Sequence, residues 1–135
     1  MFDVPKTLLQ HCSKESFHRS GARFLRGLAI ALGLERTAFE VRSSKGGPAV
    51  MGEVILHSSF IYIQLFMDGD KPRLLYRTCN GRKDYYGGPN LYVWLDSLVD
   101  DGKRQYLVIL KRMSEQSRQA QILAVPKSQP NALVA

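Results

Sequence analysis

Residues 73–90 concentrate the side chains that are best suited to binding a charged, aromatic ligand. This span, the basic-aromatic loop, holds four basic side chains, three tyrosines, three glycines and one proline. The four cations, which can neutralise phosphates and release their counterions, are Arg73, Arg77, Arg82 and Lys83. Tyr85 and Tyr86 can offer flat rings to bases, and such stacking is worth about 1–3 kcal/mol per base. The loop therefore predicts contact with nucleic acid.

A structural interpretation of the same loop stands beside the functional one. Tyr76 and one of the paired tyrosines would then be core aromatics, and the arginines would be ordinary exposed residues of an edge strand. Turn and helix-cap geometry accounts for the glycines and the proline without any ligand. Arg82, Lys83, Tyr85 and Tyr86 are the residues that this interpretation leaves unexplained.

Cations elsewhere in the chain would extend the predicted binding surface. Lys45 lies in the glycine-rich turn 44–48 and is expected to approach the same end of the sheet as the loop. Arg19, Arg23 and Arg26 recur at helical spacing, so they form a basic stripe on one face of a predicted helix. Such a stripe is either a solvated face or a surface that contacts phosphates.

Catalytic and metal-binding patterns are not found in the sequence. The three histidines, His11, His18 and His57, lack the close Cys and His spacing of a zinc site. His11 and Cys12 are adjacent, but a catalytic Cys and its His base meet in space rather than in sequence. Gly46-Gly47 and Gly87-Gly88 lack the strand, loop and helix context of a phosphate-binding motif. We therefore predict a protein that is not an enzyme and uses no metal or cofactor.

Composition bounds the domain organisation and the class of partner. A chain of 135 residues with 44% hydrophobic side chains suits one domain, predicted over 1–125, with a flexible tail at 126–135. A net charge of +7 and a pI of about 9.6 favour polyanions or acidic protein surfaces as partners. The two isolated cysteines and the start of the chain predict a cytoplasmic protein, and apolar runs too short for a bilayer predict no membrane partner.

Hydrophobic periodicity predicts an α+β fold with an N-terminal amphipathic helix and an antiparallel meander of four or five strands. Ser13 is expected to cap the helix and Gly33 to end it. The predicted strands cover 37–43, roughly 50–57, 60–66, and 74 to 78 or 79. One or two C-terminal helices would pack on one face of this sheet.

The C-terminal part of the chain is less strongly patterned. Asn90 is predicted to cap a helix over 91–99, which would place Asp100 and Asp101 unfavourably at its C-terminus. The run 106–110 is predicted as a buried strand, with a helix as the alternative, and 111–124 as a polar helix.

One resemblance to a known family follows from the order of these elements. Strand 61–67, the tripeptide Gly81-Arg82-Lys83, and the segment 91–99 with Trp94 resemble a single-strand-binding transcriptional coactivator domain of the positive-cofactor type. The resemblance covers less than half of the chain. It implies a curved antiparallel sheet, dimerisation and binding of single-stranded nucleic acid.

These observations lead to two hypotheses of different classes. The first is a small, basic, non-enzymatic nucleic-acid-binding accessory protein, with single strands slightly favoured. The second is a protein–protein interaction module, an adaptor, inhibitor or homodimer, that docks an acidic partner surface. The second uses the same loop, because Tyr and Arg are enriched at interface hot spots.

Overall fold

The predicted α+β class and antiparallel meander are confirmed by a computed structural model, which describes residues 2–83 and 87–134, with side chains as far as residue 123. The main elements are α1 (Lys6–Leu9), α2 (Lys14–Ala31), β1 (Phe39–Ser44), β2 (Glu53–Ser58), β3 (Ile61–Asp68), β4 (Lys71–Thr78), β5 (Leu91–Trp94) and α3 (Asp101–Val134). Short 3-10 helices cover Arg36–Ala38 and Leu95–Leu98. The strands lie in sequence order, β1-β2-β3-β4-β5, and every neighbouring pair is antiparallel. In the described part of the chain, we find no helix with the length and apolarity to cross a bilayer.

The helix α2 begins where its sequence signals predict and packs directly on the sheet. The Ser13 hydroxyl accepts a hydrogen bond from the Ser16 backbone N–H at 3.1 Å, which caps the first turn. Phe17, Phe24 and Leu28 are fully or almost fully buried by this packing. Gly21 lies so close to β3 that a Cβ there would stand 2.8 Å from Leu65 Cδ2. A glycine inside the helix is therefore explained by close helix–sheet contact.

One face of the sheet forms the core together with the helices. Its side chains are buried and aliphatic: Val54, Leu56, Ile61, Ile63, Leu65 and Leu74. The helix α3 packs on the same face through Tyr106 and Leu110, and the Tyr106 ring meets Tyr76 edge to face at 5.1 Å. Burying each large side chain contributes about 1.5–3 kcal/mol, and the larger of the two buried hydrophobic clusters lies on this face. The opposite face carries Tyr62, Phe66, Tyr92 and Trp94, and we call it the aromatic face.

The predicted helix over 91–99 is wrong. Residues 91–94 form the edge strand β5, in which Val93 lies opposite Leu74 on the core face. Alternation then places Tyr92 and Trp94 on the aromatic face, and pairing with β4 outweighs the helical spacing of the leucines. Leu95 and Leu98 still become buried together, but in a 3-10 turn. The resemblance to the coactivator domain loses the Trp-bearing helix on which it depended.

The strand predicted over 106–110 is also wrong, and its alternative is correct. Tyr106 and Leu110 are buried one helical turn apart, while Val108 and Ile109 between them are exposed on α3. The acids before this segment then gain a physical explanation. Asp101 lies in the first turn of α3, where the helix dipole favours an anion. The division into a domain over 1–125 and a flexible tail over 126–135 stays a prediction.

Candidate nucleic-acid interface

The strand register arranges the aromatic face in three rows that cross the sheet. The His57 row contains Glu40, His57, Tyr62 and Arg77. The middle row contains Arg42, Ile55, Gln64, Leu75 and Tyr92. The Trp94 row contains Ser44, Glu53, Phe66, Arg73 and Trp94. Two ends of one face therefore carry similar residue types, each with an arginine from β4.

At the Trp94 end, the Arg73 guanidinium lies against two aromatic rings. Its Cζ is 4.5 Å from the centroid of the Tyr92 ring and 4.6 Å from that of the Trp94 ring. The Phe66 ring meets Tyr92 edge to face, with 6.3 Å between centroids. Tyr92 is 45% exposed and Trp94 38% exposed, although both are large and apolar. We call Phe66, Arg73, Tyr92 and Trp94 the stacking site, because its rings stay accessible to a further flat group.

Ion pairs surround the stacking site and partly neutralise its cations. Arg73 Nη1 lies 2.6 Å from Asp68 Oδ2, and Lys71 Nζ lies 3.1 Å from Asp96 Oδ2. The Lys71 ammonium also lies 5.4 Å from the centroid of the Trp94 ring. Both pairs are solvent-accessible, and such pairs contribute only about 0–1 kcal/mol. A phosphate could therefore replace either carboxylate at small energetic cost.

The His57 end contains comparable groups in a closed environment. Arg77 Cζ lies 4.3 Å from the centroid of the Tyr62 ring, and Arg77 Nη1 donates to the Thr78 carbonyl at 3.2 Å. Buried His57 donates from Nε2 to the Gly81 carbonyl at 3.1 Å, and its Nδ1 lies 3.4 Å from Arg42 Nη2. Burial, with Arg42 and Arg77 nearby, lowers the pKa of His57, although Gly81 and Glu40 oppose this. The neutral imidazole is therefore the form that fits this end.

The four cations of the basic-aromatic loop, all within the described residues, do not form one cluster. Arg73 and Arg77 lie on the same face, as alternation predicts, but about 13 Å apart along the strand. Arg82 donates to the Thr37 carbonyl at 2.8 Å, just before β1 at the His57 end, and Lys83 is exposed beside it. The predicted stacking residues Tyr85 and Tyr86 lie outside the described residues.

Two glycines of the loop have structural roles: Gly81 the predicted role in a turn, and Gly87 a close backbone approach in place of the predicted helix cap. Gly81 adopts a φ of +122°, which favours glycine in the turn after β4. A Cβ on Gly87 would lie 1.9 Å from the Thr78 carbonyl oxygen, so only glycine allows the chain to return this close. Cys79 and Gly87 form an isolated antiparallel bridge that closes the excursion.

The other predicted cations lie in two different places. Lys45 is exposed just after β1, at the Trp94 end of the sheet, and so nearer to Arg73 than to Arg82. Arg19, Arg23 and Arg26 are exposed on α2, and Arg19 pairs with Glu15 at 3.1 Å. Because α2 packs on the core face, this basic stripe lies on the opposite side of the sheet from the stacking site.

Four residues of the Trp94 end were not identified as site residues in the sequence: Phe66, Lys71, Tyr92 and Trp94. The last two were assigned to a helix, which hid their shared face with Arg73 and Phe66. The signal that could have found them is the run Leu91-Tyr92-Val93-Trp94, whose β-branched and aromatic content favours a strand. A strand there would have placed both rings beside β4.

Comparison with protein families, curated proteins and solved structures finds no match to this chain. Among the described residues, no three or more His, Cys, Asp or Glu side chains are grouped so that they could hold a metal ion. The functional argument therefore depends on the geometry of the aromatic face.

Proposed function

We propose that this protein binds single-stranded nucleic acid through the stacking site at the Trp94 end of the aromatic face. The observation that carries the proposal is the pair of exposed rings, Tyr92 and Trp94, with the Arg73 guanidinium beside both. Every base has a flat π-face, so accessible rings on a sheet can bind successive unpaired bases without reading sequence. Sheet-surface aromatics are a common platform for single-stranded RNA.

The neighbouring cations suit the backbone of the same strand. Lys71 and Arg73 lie within contact distance of the rings, and Lys45 lies at the same end of the sheet. A strand whose bases stack on Tyr92 and Trp94 would bring phosphates to these cations. Binding would then follow counterion release, with a slope of log K against log salt of about −0.7 per phosphate contact. The net charge of +7 favours the encounter.

A salt-dependent titration with a short oligothymidylate tests the proposal. Trp94 is the single tryptophan of the chain, so its own fluorescence reports base stacking without a label. We expect quenching and affinity that falls steeply between 50 mM and 200 mM salt, as counterion release requires. The double variant Tyr92→Ala/Trp94→Ala should lose about 100-fold in affinity by anisotropy of a labelled strand, since each stacked base contributes about 1–3 kcal/mol.

The control removes a similar apolar area elsewhere. Ile30 and Val108 are exposed on helices away from the stacking site, so Ile30→Ala/Val108→Ala should bind as the wild type does. A wild-type protein with no affinity for single strands at low salt would refute the proposal. An equal loss of oligonucleotide affinity in both double variants would show that the binding site is not at the Trp94 end.

The second candidate function is a protein–protein interaction module. The helix α3 exposes Val108, Ile109, Ile122 and Leu123, which a partner or a second copy of the chain could cover. A stoichiometric protein partner that survives nuclease treatment, or a stable dimer by light scattering, would support this candidate. For either function we place the protein in the cytoplasm, as two cysteines without a disulfide framework suggest.

A further inference from the structure

A cavity of about 510 Å³ opens beside the stacking site. It lies between the β1–β2 connection and the Trp94 row, and its lining includes Val50, Met51, Glu53, Gln64, Phe66 and Met67. The volume lies within the range of small-ligand sites, which combine apolar walls with a few polar groups. Phe66 belongs to both the cavity and the stacking site, so a strand bound at the site passes its mouth.

The outer wall of the cavity is fixed by contacts from the core side. The Lys14 ammonium donates to the Gly47 carbonyl at 2.9 Å, and buried His18 Nε2 lies 2.8 Å from the Met51 carbonyl oxygen. Gly52 has a φ of +80°, and a Cβ there would lie 2.2 Å from the Ser44 carbonyl oxygen. The connection is thus held close to β1 by geometry that requires glycine, and the cavity exists before any ligand arrives.

Two polar side chains in the cavity have complementary hydrogen-bonding roles. Gln64 Oε1 accepts a hydrogen bond from the Tyr62 hydroxyl at 2.9 Å, which leaves the Gln64 amide nitrogen as the available donor. The Glu53 side chain makes no hydrogen bond or ion pair to another residue in the described part of the chain, and its carboxylate is an acceptor. Glu53 lies opposite Phe66, and Gln64 lies two residues along β3 on the same face. Within the cavity, the Glu53 acceptor and the Gln64 donor therefore belong to residues about 7–8 Å apart at the backbone.

We propose that this cavity binds a guanine base of the bound strand, an inference that depends on the proposed function. The Watson–Crick edge of guanine carries two adjacent donors, N1–H and the N2 amino group, and one acceptor, O6. The Glu53 carboxylate would accept from both donors, and the Gln64 amide would donate to O6. The Phe66 ring and the methionines of the lining would cover the faces of the base. Unstacked bases are recognised in this way by their Watson–Crick edges.

The same groups disfavour the other bases. Adenine has an unprotonated N1, whose lone pair would face the carboxylate, and an amino group where the Gln64 donor lies. Cytosine likewise directs its N3 lone pair and its O2 toward acceptors, and thymine offers a single N3–H donor. Each mismatch leaves a polar group of the cavity without a partner, which costs more than the lost contact.

Oligothymidylates with one central substitution test the inference by competition. We expect guanine at that position to bind about tenfold tighter than adenine or cytosine, the usual scale for one bidentate base contact. Inosine, which lacks the N2 amino group, should lose most of this preference. The analogue 7-deazaguanine keeps the Watson–Crick edge and should bind as guanine does. The Glu53→Gln variant should abolish the preference, because the amide replaces one acceptor oxygen by a donor.

The variant Glu40→Gln is the matched control, since it makes the same charge change on the same face in the His57 row. It should keep the guanine preference. If the wild type binds the oligonucleotides with guanine, adenine, cytosine and inosine at the central position equally, while Tyr92→Ala/Trp94→Ala still loses binding, the guanine inference fails and the proposed function stands. If no oligonucleotide binds, both fail. The comparison of guanine with inosine on the wild type decides the inference even if Glu53→Gln folds poorly.

Discussion

Arg73 and Arg77 are the same residue type, four positions apart on β4 and on the same face, yet they occupy different environments. Each guanidinium lies over aromatic rings, at 4.5 Å from Tyr92 for Arg73 and 4.3 Å from Tyr62 for Arg77. The Arg73 side chain is 29% exposed beside exposed rings, whereas Arg77 as a whole is 5% exposed beside a buried ring. An arginine beside an aromatic ring therefore forms an accessible surface at the Trp94 end of the sheet and part of the packed interior at the His57 end.

The largest expected difference between Arg77 and Arg73 is in their contributions to the free energy of unfolding. Arg77→Ala should reduce the free energy of unfolding by about 2–3 kcal/mol, because it removes a desolvated cation–π contact and a partly buried hydrogen bond. Arg73→Ala should cost about 1 kcal/mol or less, since its ion pair and ring contacts are solvent-accessible. Urea denaturation followed by circular dichroism measures both values.

The conservative variant Arg77→Lys separates packing from planar recognition. It keeps a cation and an aliphatic stem but loses the flat guanidinium, so we expect a stability between those of wild type and Arg77→Ala. For oligonucleotide affinity we expect the opposite order of the two alanine variants. Under conditions where both are folded, Arg73→Ala should bind more weakly than Arg77→Ala. Equal stability losses at positions 73 and 77 would contradict the distinction between the two ends.

His57 should make the stability of the protein depend on pH, an effect smaller than that of Arg77→Ala. The folded state lowers the pKa of His57, chiefly through burial, below its ordinary value of 6.5. The unfolded chain therefore binds the proton first as the pH falls. The stabilising contribution is complete above pH 6.5 and declines as the pH drops from there toward the lowered pKa of the folded state.

Denaturation midpoints measured between pH 7.5 and 5.5 test this assignment. Wild type should lose stability over that range, and His57→Gln should be less stable at pH 7.5 but show a flatter profile. His11→Gln removes an exposed histidine and should leave the wild-type slope unchanged. A slope that persists in His57→Gln would assign the pH dependence to another group.

The sequence predicted the core of the fold because its signals there are redundant. Ser13, Gly33 and the apolar stripe of α2 agree with one another, and Ile61, Ile63 and Leu65 alternate along β3 with the side chains of the opposite face. The segment 91–99 carries conflicting signals, since its leucines are spaced as in a helix while Tyr92, Val93 and Trp94 favour a strand. Only the long-range pairing of Val93 with Leu74 decides between them, and that contact is not visible in local periodicity.

The candidate site was harder to predict for the same physical reason. Shared strand alternation placed Arg73 and Arg77 on one face, but burial distinguishes them, and burial depends on the returning chain around Gly87. The stacking site needs β5 beside β4, so the misassigned helix removed two of its four members. Charge was a poor guide as well, because Arg82 bonds to a backbone carbonyl and the α2 stripe lies behind the sheet.

Removing arginines from the basic stripe of α2 should have the smallest effect, which is on oligonucleotide affinity. Arg19→Ala/Arg23→Ala removes two charges from exposed positions on α2, with the helix and the sheet between them and the stacking site. At 150 mM salt the screening length is about 8 Å, so the field of these arginines at the stacking site is weak. We expect a change in oligonucleotide affinity of about twofold or less.

Lys71→Ala/Arg73→Ala makes the same charge change at the Trp94 end and should weaken binding at least tenfold, with a shallower salt dependence. The contrast between these two variants decides whether position or total charge governs binding. If both lose affinity equally, diffuse electrostatics explains the interaction, and the exposed rings at the Trp94 end need a different partner.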